Sequence, residues 1–218
     1  MTETREQLRA RCVASFPRWY SPWAHLAFPA LVGIGVITLA IVLLRDVTRA
    51  ELLTIPVIWL FSNMVEWRAH RNVLHRRTWY APVLYDRHTP YHHRIFVRED
   101  MALRSPREFQ LILIPAIGIL LILVATLPFV AATWWLLGRN VALLFLATST
   151  GYVLSYEWLH LAYHAPADSL IGRTRLIARL RRHHATHHDP ELMQRWNFNV
   201  TVPFWDWVAG TIYRQRLP

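Results

Sequence analysis

Apolar and charged residues fall into separate blocks along this chain, and that segregation constrains the fold more than any single motif. HLAFPALVGIGVITLAIVLL (25–44) is an apolar run that stops at Arg45-Asp46. LLTIPVIWLFSNMVEW (52–67) is shorter and carries Ser62, Asn63 and Glu66. LILIPAIGILLILVATLPFVAATWWLL (111–137) is long enough to tilt, and after Gly138-Arg139-Asn140 the chain continues as VALLFLATSTGYVLSYEWLHLAYH (141–164). A helix needs ~20 mostly apolar residues to cross ~30 Å of hydrocarbon. The four stretches therefore predict an all-α integral membrane protein with about four transmembrane helices in two hairpins.

The basic residues orient these hairpins. There are 24, all of them arginine, against 14 acidic residues, for a formal net charge of +10. Only Arg45, Arg49 and Arg139 fall in the hairpin turns; the rest lie in the N-terminal segment, in 68–110 or in the C-terminal segment. The positive-inside rule then places both termini and the central segment in the cytoplasm. On this reading residues 1–24 are a cytoplasmic N-terminal segment, and 25–218 form one membrane-embedded domain with a cytoplasmic, histidine-rich helical cap. A nucleic-acid partner is not expected, because no recognition helix or aromatic-studded soluble surface accompanies the arginines. Cys12 is the single cysteine, which allows no internal disulfide. No short apolar core with a small-residue cleavage site follows Arg5, Arg9, Arg11 and Arg18, so no cleaved signal peptide is expected.

With this topology every histidine except His25 lies on the cytoplasmic side, in four groups: HRNVLH (70–75), HTPYHH (88–93), HLAYH (160–164) and HHATHH (183–188). His160 and His164 are four apart, and His184, His187 and His188 stand at i, i+3 and i+4, so each set shares a helix face. Neutral imidazole is the commonest metal ligand, and such groups recurring on one side of a membrane point to metal. The candidates are His70, His75, His88, His92, His93, His160, His164, His184, His187 and His188. Ten imidazoles exceed the roughly four ligands of a structural zinc site and the six of an octahedral ion; two ions with about five nitrogens each would use them all. His183 points off the shared face and is expected to support a neighbour or face solvent. His25 is expected to be structural or interfacial.

The boxes HxxxxH, HxxxHH, HxxxH and HxxHH on paired membrane hairpins resemble the fatty acid hydroxylase/sterol desaturase superfamily of integral-membrane di-iron enzymes. EWRAHRNVLHRR (66–77) is similar to that superfamily's first box, and HHATHHDP followed by NFNVTVPFWDWVAGT (197–211) is similar to its last box and ending. The resemblance covers roughly residues 55–213. The three residues between His88 and His92, where many relatives have two, set His88 apart from the pattern.

The resemblance implies two iron ions, with zinc possible in the isolated protein, activating dioxygen to attack an unactivated C–H bond of a fatty acyl, sterol-like or carotenoid lipid. It also implies electrons from a separate ferredoxin or cytochrome b5-like donor with its reductase. Glu66, four residues before His70, and Glu157, three before His160, are expected to orient histidines from behind, as are Asp189 and Asp206 less directly. The same scaffold supports hydroxylation and desaturation, and histidine spacing does not choose between them. A non-catalytic metal-binding or transport protein and a membrane zinc hydrolase are the alternatives from other classes. Transport is disfavoured because its ligands would sit at the bilayer midplane, and hydrolysis because the boxes lack carboxylates.

Overall fold

The structure, a computed structural model, describes residues 3–214, so Arg216, counted above among the C-terminal arginines, and the outermost ends of the two expected regions lie outside it. The chain is all-α, with no strand among the described residues and one isolated bridge between Val97 and Asp100. Its helices are α1 (Arg5–Ser15), α2 (Pro22–Val42), α3 (Thr54–Ala69), α4 (Pro82–Arg87), α5 (His93–Ile95), α6 (Phe109–Ile112), α7 (Ala116–Leu137), α8 (Arg139–His164), α9 (Arg175–His187) and α10 (Phe204–Val208). They form two compact units. One gathers Met1–Pro22, Asn63–Ile112 and Leu159–Pro218; the other gathers Trp23–Ser62 and Leu113–Trp158.

The second unit holds α7 and nearly all of α2. α2 and the stretch Pro106–Leu137 are long and apolar enough to cross a membrane, and only 17% of each apolar window is buried. A core helix of a soluble protein would bury most of that surface, so these helices turn their side chains outward, as a lipid-facing helix does; Leu31, Ile41 and Val42 on α2 and Ile117, Leu121 and Phe129 on α7 are exposed. The structure distinguishes among the four expected stretches in two ways. Only these two qualify by length and composition among the described residues: α3 is 16 residues, ~24 Å long, and α8 carries Thr148, Ser149, Thr150, Ser155 and Glu157. The third stretch is also interrupted at 113–115, because Pro115 offers no N–H to continue α6. The break leaves backbone groups to be satisfied: Glu157 accepts from the Ile114 N–H at 3.1 Å, and the His25 Nε2–H donates to the Ile114 carbonyl at 3.0 Å. Within this unit α2 approaches α8 closely, a Cβ at Gly33 meeting Leu154 at 2.8 Å. Reciprocal bonds between Asn140 and Arg45 tie the two turns together.

The first unit has its own apolar core of Leu8, Cys12, Ile95, Phe96 and Ile112, with Leu103, Leu111 and Leu161 packed against it. Each such side chain removed from water contributes about 1.5–3 kcal/mol. α1 enters this core, its N-terminus closed by a capping box between Thr4 and Gln7. A polar network fixes the C-terminal loop: Asn63 donates to Thr201 Oγ1 and the Val202 carbonyl at 3.1 and 2.9 Å, and accepts from the Trp205 N–H at 3.0 Å. Asn197 takes the left-handed conformation at φ 58°, which asparagine tolerates, and donates to the His183 carbonyl at 3.0 Å.

Candidate metal centre

Histidines five residues apart stand ~140° apart on an α-helix and cannot meet at one point. This chain brings them together with π-turns. α3 runs directly into a π-turn at His70–Leu74, closed by the His75 N–H on the His70 carbonyl at 3.1 Å, and α4 runs into a second at His88–His92, closed by the His93 N–H on the His88 carbonyl. The wider turn carries i+5 back over i. His70 with His75, and His88 with His93, thereby face the same centre.

The ten candidate rings separate into two groups of five. His70, His75, His88, His93 and His187 form one, and His92, His160, His164, His184 and His188 the other; within each group the ring nitrogens lie within 4.8 Å of one another, and all ten residues are buried. The fourth box, expected to present one face, is instead divided: His184 and His188 enter the second group, whereas His187, ~100° around the helix from His188, enters the first. His88, set apart by its spacing, lies with its Nε2 2.9 Å from His70 Nε2 and 3.0 Å from His93 Nε2. The two groups adjoin, His93 of one stacking on His188 of the other with centroids 4.1 Å apart.

Ring tautomers show what these nitrogens face. A carbonyl oxygen only accepts, so a ring nitrogen bonded to one must carry the proton. His70 Nδ1 donates to the Phe198 carbonyl, and His187 Nδ1 to that of Trp196 at 2.8 Å. His75 Nδ1 donates to Thr89 Oγ1 at 3.2 Å, because the Thr89 hydroxyl spends its own proton on the Leu74 carbonyl at 2.7 Å. All three Nε2 atoms therefore present lone pairs, yet they lie 3.0 Å (His70 to His187) and 2.9 Å (His75 to His187) apart. Lone pairs at that distance repel unless a cation lies among them. Nitrogens ~2.1 Å from one metal ion and at right angles are ~3.0 Å apart, which is the spacing seen.

The second group repeats the pattern. His92, His164 and His188 donate from Nδ1 to the carbonyls of Leu111 (3.0 Å), Met101 (2.7 Å) and Phe96 (2.6 Å). The buried His164 Nε2 has no hydrogen-bond partner among the described residues. Burial holds His70 down to about 4 and pushes His88, His92, His93, His184, His187 and His188 well below the ordinary range, so these rings are neutral at pH 7 with lone pairs available. A neutral all-imidazole donor set suits a divalent transition metal.

The carboxylates hold backbone. Glu66 accepts from the Val200 N–H, the Thr201 N–H and Thr201 Oγ1, Glu157 from Ile114, and Asp206 from the N–H groups of Phe198 and Asn199. Glu66 and Asp206 thus fix the loop whose carbonyls orient His70 and His187. Asp189 is paired with Arg98 at 3.3 Å. His183, outside both groups, lies 3.1 Å from Asp206. The orienting carbonyls of Phe96, Met101, Leu111, Trp196 and Phe198 left no mark in the sequence, since any residue type supplies one.

Residues 55–211 match the sequence profile of the fatty acid hydroxylase family. Among solved structures the chain is similar to one described as full-length scs7p with only the hydroxylase domain visible, with a TM-score of 0.61 and 20% identity, covering 91% of this chain and 69% of that one. A likeness at that identity bears on the fold alone. No curated protein sequence matches the chain.

Proposed function

The chain belongs to the fatty acid hydroxylase family, and on that premise we propose that it is an integral-membrane di-iron monooxygenase hydroxylating an unactivated C–H bond of a fatty acyl, sterol-like or carotenoid lipid. The observation that carries the metal reading is the meeting of the His70, His75 and His187 lone pairs, matched by the buried and unpartnered Nε2 of His164. One ion is assigned to His70, His75, His88, His93 and His187 and a second to His92, His160, His164, His184 and His188. Each group would hold its ion through imidazole nitrogens alone, a donor set suited to iron. The bound iron would supply dioxygen activation and C–H cleavage, with electrons from a separate ferredoxin or cytochrome b5-like donor and its reductase.

The chain's own residues do three things. Backbone carbonyls and Thr89 lock the proton of six rings on Nδ1, so that every one of those Nε2 atoms points inward ready to bind. Burial keeps the rings neutral and excludes water from around the ions. Glu66 and Asp206 bring negative charge close to the first group while holding its loop, which offsets part of the charge of two dications. For the membrane, we assign α2 with α3 and α7 with α8 to two spanning hairpins, with the termini and the arginine-rich segments on the cytoplasmic side. A lipid substrate would be drawn from the bilayer that these helices span.

The test is mass spectrometry of total lipids from aerobic cells expressing the chain with an electron donor, against cells expressing His188→Ala. The expected result is one lipid class that gains a single oxygen only with intact His188. Loss of two hydrogens would make the chain a desaturase on the same site, and unchanged lipids would overturn the enzymatic reading.

A further inference from the structure

We infer that Arg9 is a positioning residue for the second histidine group, and that α1, which lies outside the matched family region, is a working part of the metal centre. α1 belongs to the same compact unit as all four histidine boxes. Arg9 is 3% exposed, an unusual place for an arginine on a terminal helix. Its guanidinium does four things at once. It donates to the Ala102 carbonyl at 3.1 Å, lies 3.7 Å from Glu108 and 4.0 Å from Asp100, and stacks over the Phe96 ring at 5.0 Å.

Three of those contacts, to Phe96, Asp100 and Ala102, bracket one segment, 96–102, and carbonyls of that segment orient two rings of the second group. The Phe96 carbonyl takes the His188 Nδ1 proton and the Met101 carbonyl takes that of His164. The Phe96 ring packs against His92 at 5.3 Å and His164 at 4.6 Å, and the Leu103 N–H donates to the His164 carbonyl at 2.8 Å. Arg9 thus grips the segment at Phe96 and Ala102, on either side of a tight turn in which the Asp100 N–H donates to the Val97 carbonyl. Leu8 and Cys12 anchor the helix beside Ile95 and Phe96. The orienting bonds of the first group come instead from Thr89, Trp196 and Phe198, none of which Arg9 contacts through a hydrogen bond or ion pair. The effect of Arg9 is therefore specific to one of the two ions.

This inference rests on the two-ion reading, and iron release separates the two. The full chain, purified in detergent and loaded anaerobically with ferrous iron, is mixed with excess 2,2′-bipyridine and the coloured chelate is followed in time. In Arg9→Met and Arg9→Gln one of two equivalents is expected to leave about 10–100-fold faster, with the other unchanged, the range typical when the group behind a metal-binding histidine is lost. Arg9→Lys, which keeps the charge but not the planar fork, falls between. Thr89→Val, which frees His75, accelerates the other equivalent. Equal acceleration of both equivalents in Arg9→Lys, or no change in any Arg9 variant, overturns the inference. A wild-type chain that binds fewer than two equivalents overturns the two-ion reading itself, and this inference with it.

Discussion

Asp206→Asn replaces one carboxylate oxygen by an amide nitrogen at a residue that is fully buried. Oδ1 accepts from the Phe198 N–H at 2.9 Å and Thr211 Oγ1 at 2.6 Å; Oδ2 accepts from the Asn199 N–H at 2.8 Å and from His183 at 3.1 Å. The threonine hydroxyl can rotate and the histidine can change tautomer, but a backbone N–H can only donate. Whichever way the new amide turns, one of the two backbone N–H groups faces an NH2 and loses its acceptor. An orphaned buried donor costs about 1–3 kcal/mol, and loss of the negative charge weakens the remaining bonds, for a total of about 2–4 kcal/mol. The strain falls on the loop whose Trp196 and Phe198 carbonyls orient His187 and His70. The variant should therefore unfold at lower denaturant in mixed micelles and release the first group's ion about 10–100-fold faster, leaving the second group's ion in place. Tryptophan fluorescence and chelator-monitored release measure the two effects. A variant as stable as the wild type, with both ions held equally well, would refute the reasoning.

Acid should unfold the metal-free chain. Burial holds His70 down to about 4, and keeps His88, His92, His93, His184, His187 and His188 below the 6.5 of the free ring, so below that value the unfolded chain takes up protons that the folded chain refuses. Stability then falls as pH falls through 6.5, by up to about 1.4 kcal/mol per pH unit for each ring; equal denaturation midpoints at about pH 7 and pH 5 would contradict this. Gly172→Ala should cost about 1–3 kcal/mol, because its Cβ runs into the Pro166 carbonyl oxygen in the loop between α8 and α9. A midpoint unchanged from the wild type in the same denaturation experiment would contradict that packing.

The helices and the histidines were legible in the sequence for different reasons. Apolar runs such as 25–44 announce helices because lipid-facing surface is written directly in side-chain type. The i, i+4 pairs His160/His164 and His184/His188 share a face under ordinary helix geometry. The partners of His70 and His88 were not legible, because α-helical periodicity sets residues five apart on different faces and only the π-turns at 70–74 and 88–92 reunite them. An HxxxxH spacing read at π periodicity would have paired His88 with His93 rather than His92. The glutamates were read from their sequence distance to histidines, whereas buried carboxylates go where unsatisfied N–H groups are most numerous: Glu66 to residues 200–201 and Glu157 to the break before Pro115. Arg9 looked like one more cytoplasmic arginine, and nothing in its local sequence distinguishes it from Arg5 or Arg11.

The most direct test of the account is metal stoichiometry by elemental analysis of the full chain purified after growth in iron-replete medium, with two paired variants. The account expects two irons in the wild type, one in His75→Ala/His187→Ala, which strips the first group, and one in His164→Ala/His188→Ala, which strips the second. A wild-type chain holding a single ion, or either double variant retaining both, would contradict the assignment of one ion to each group of five histidines.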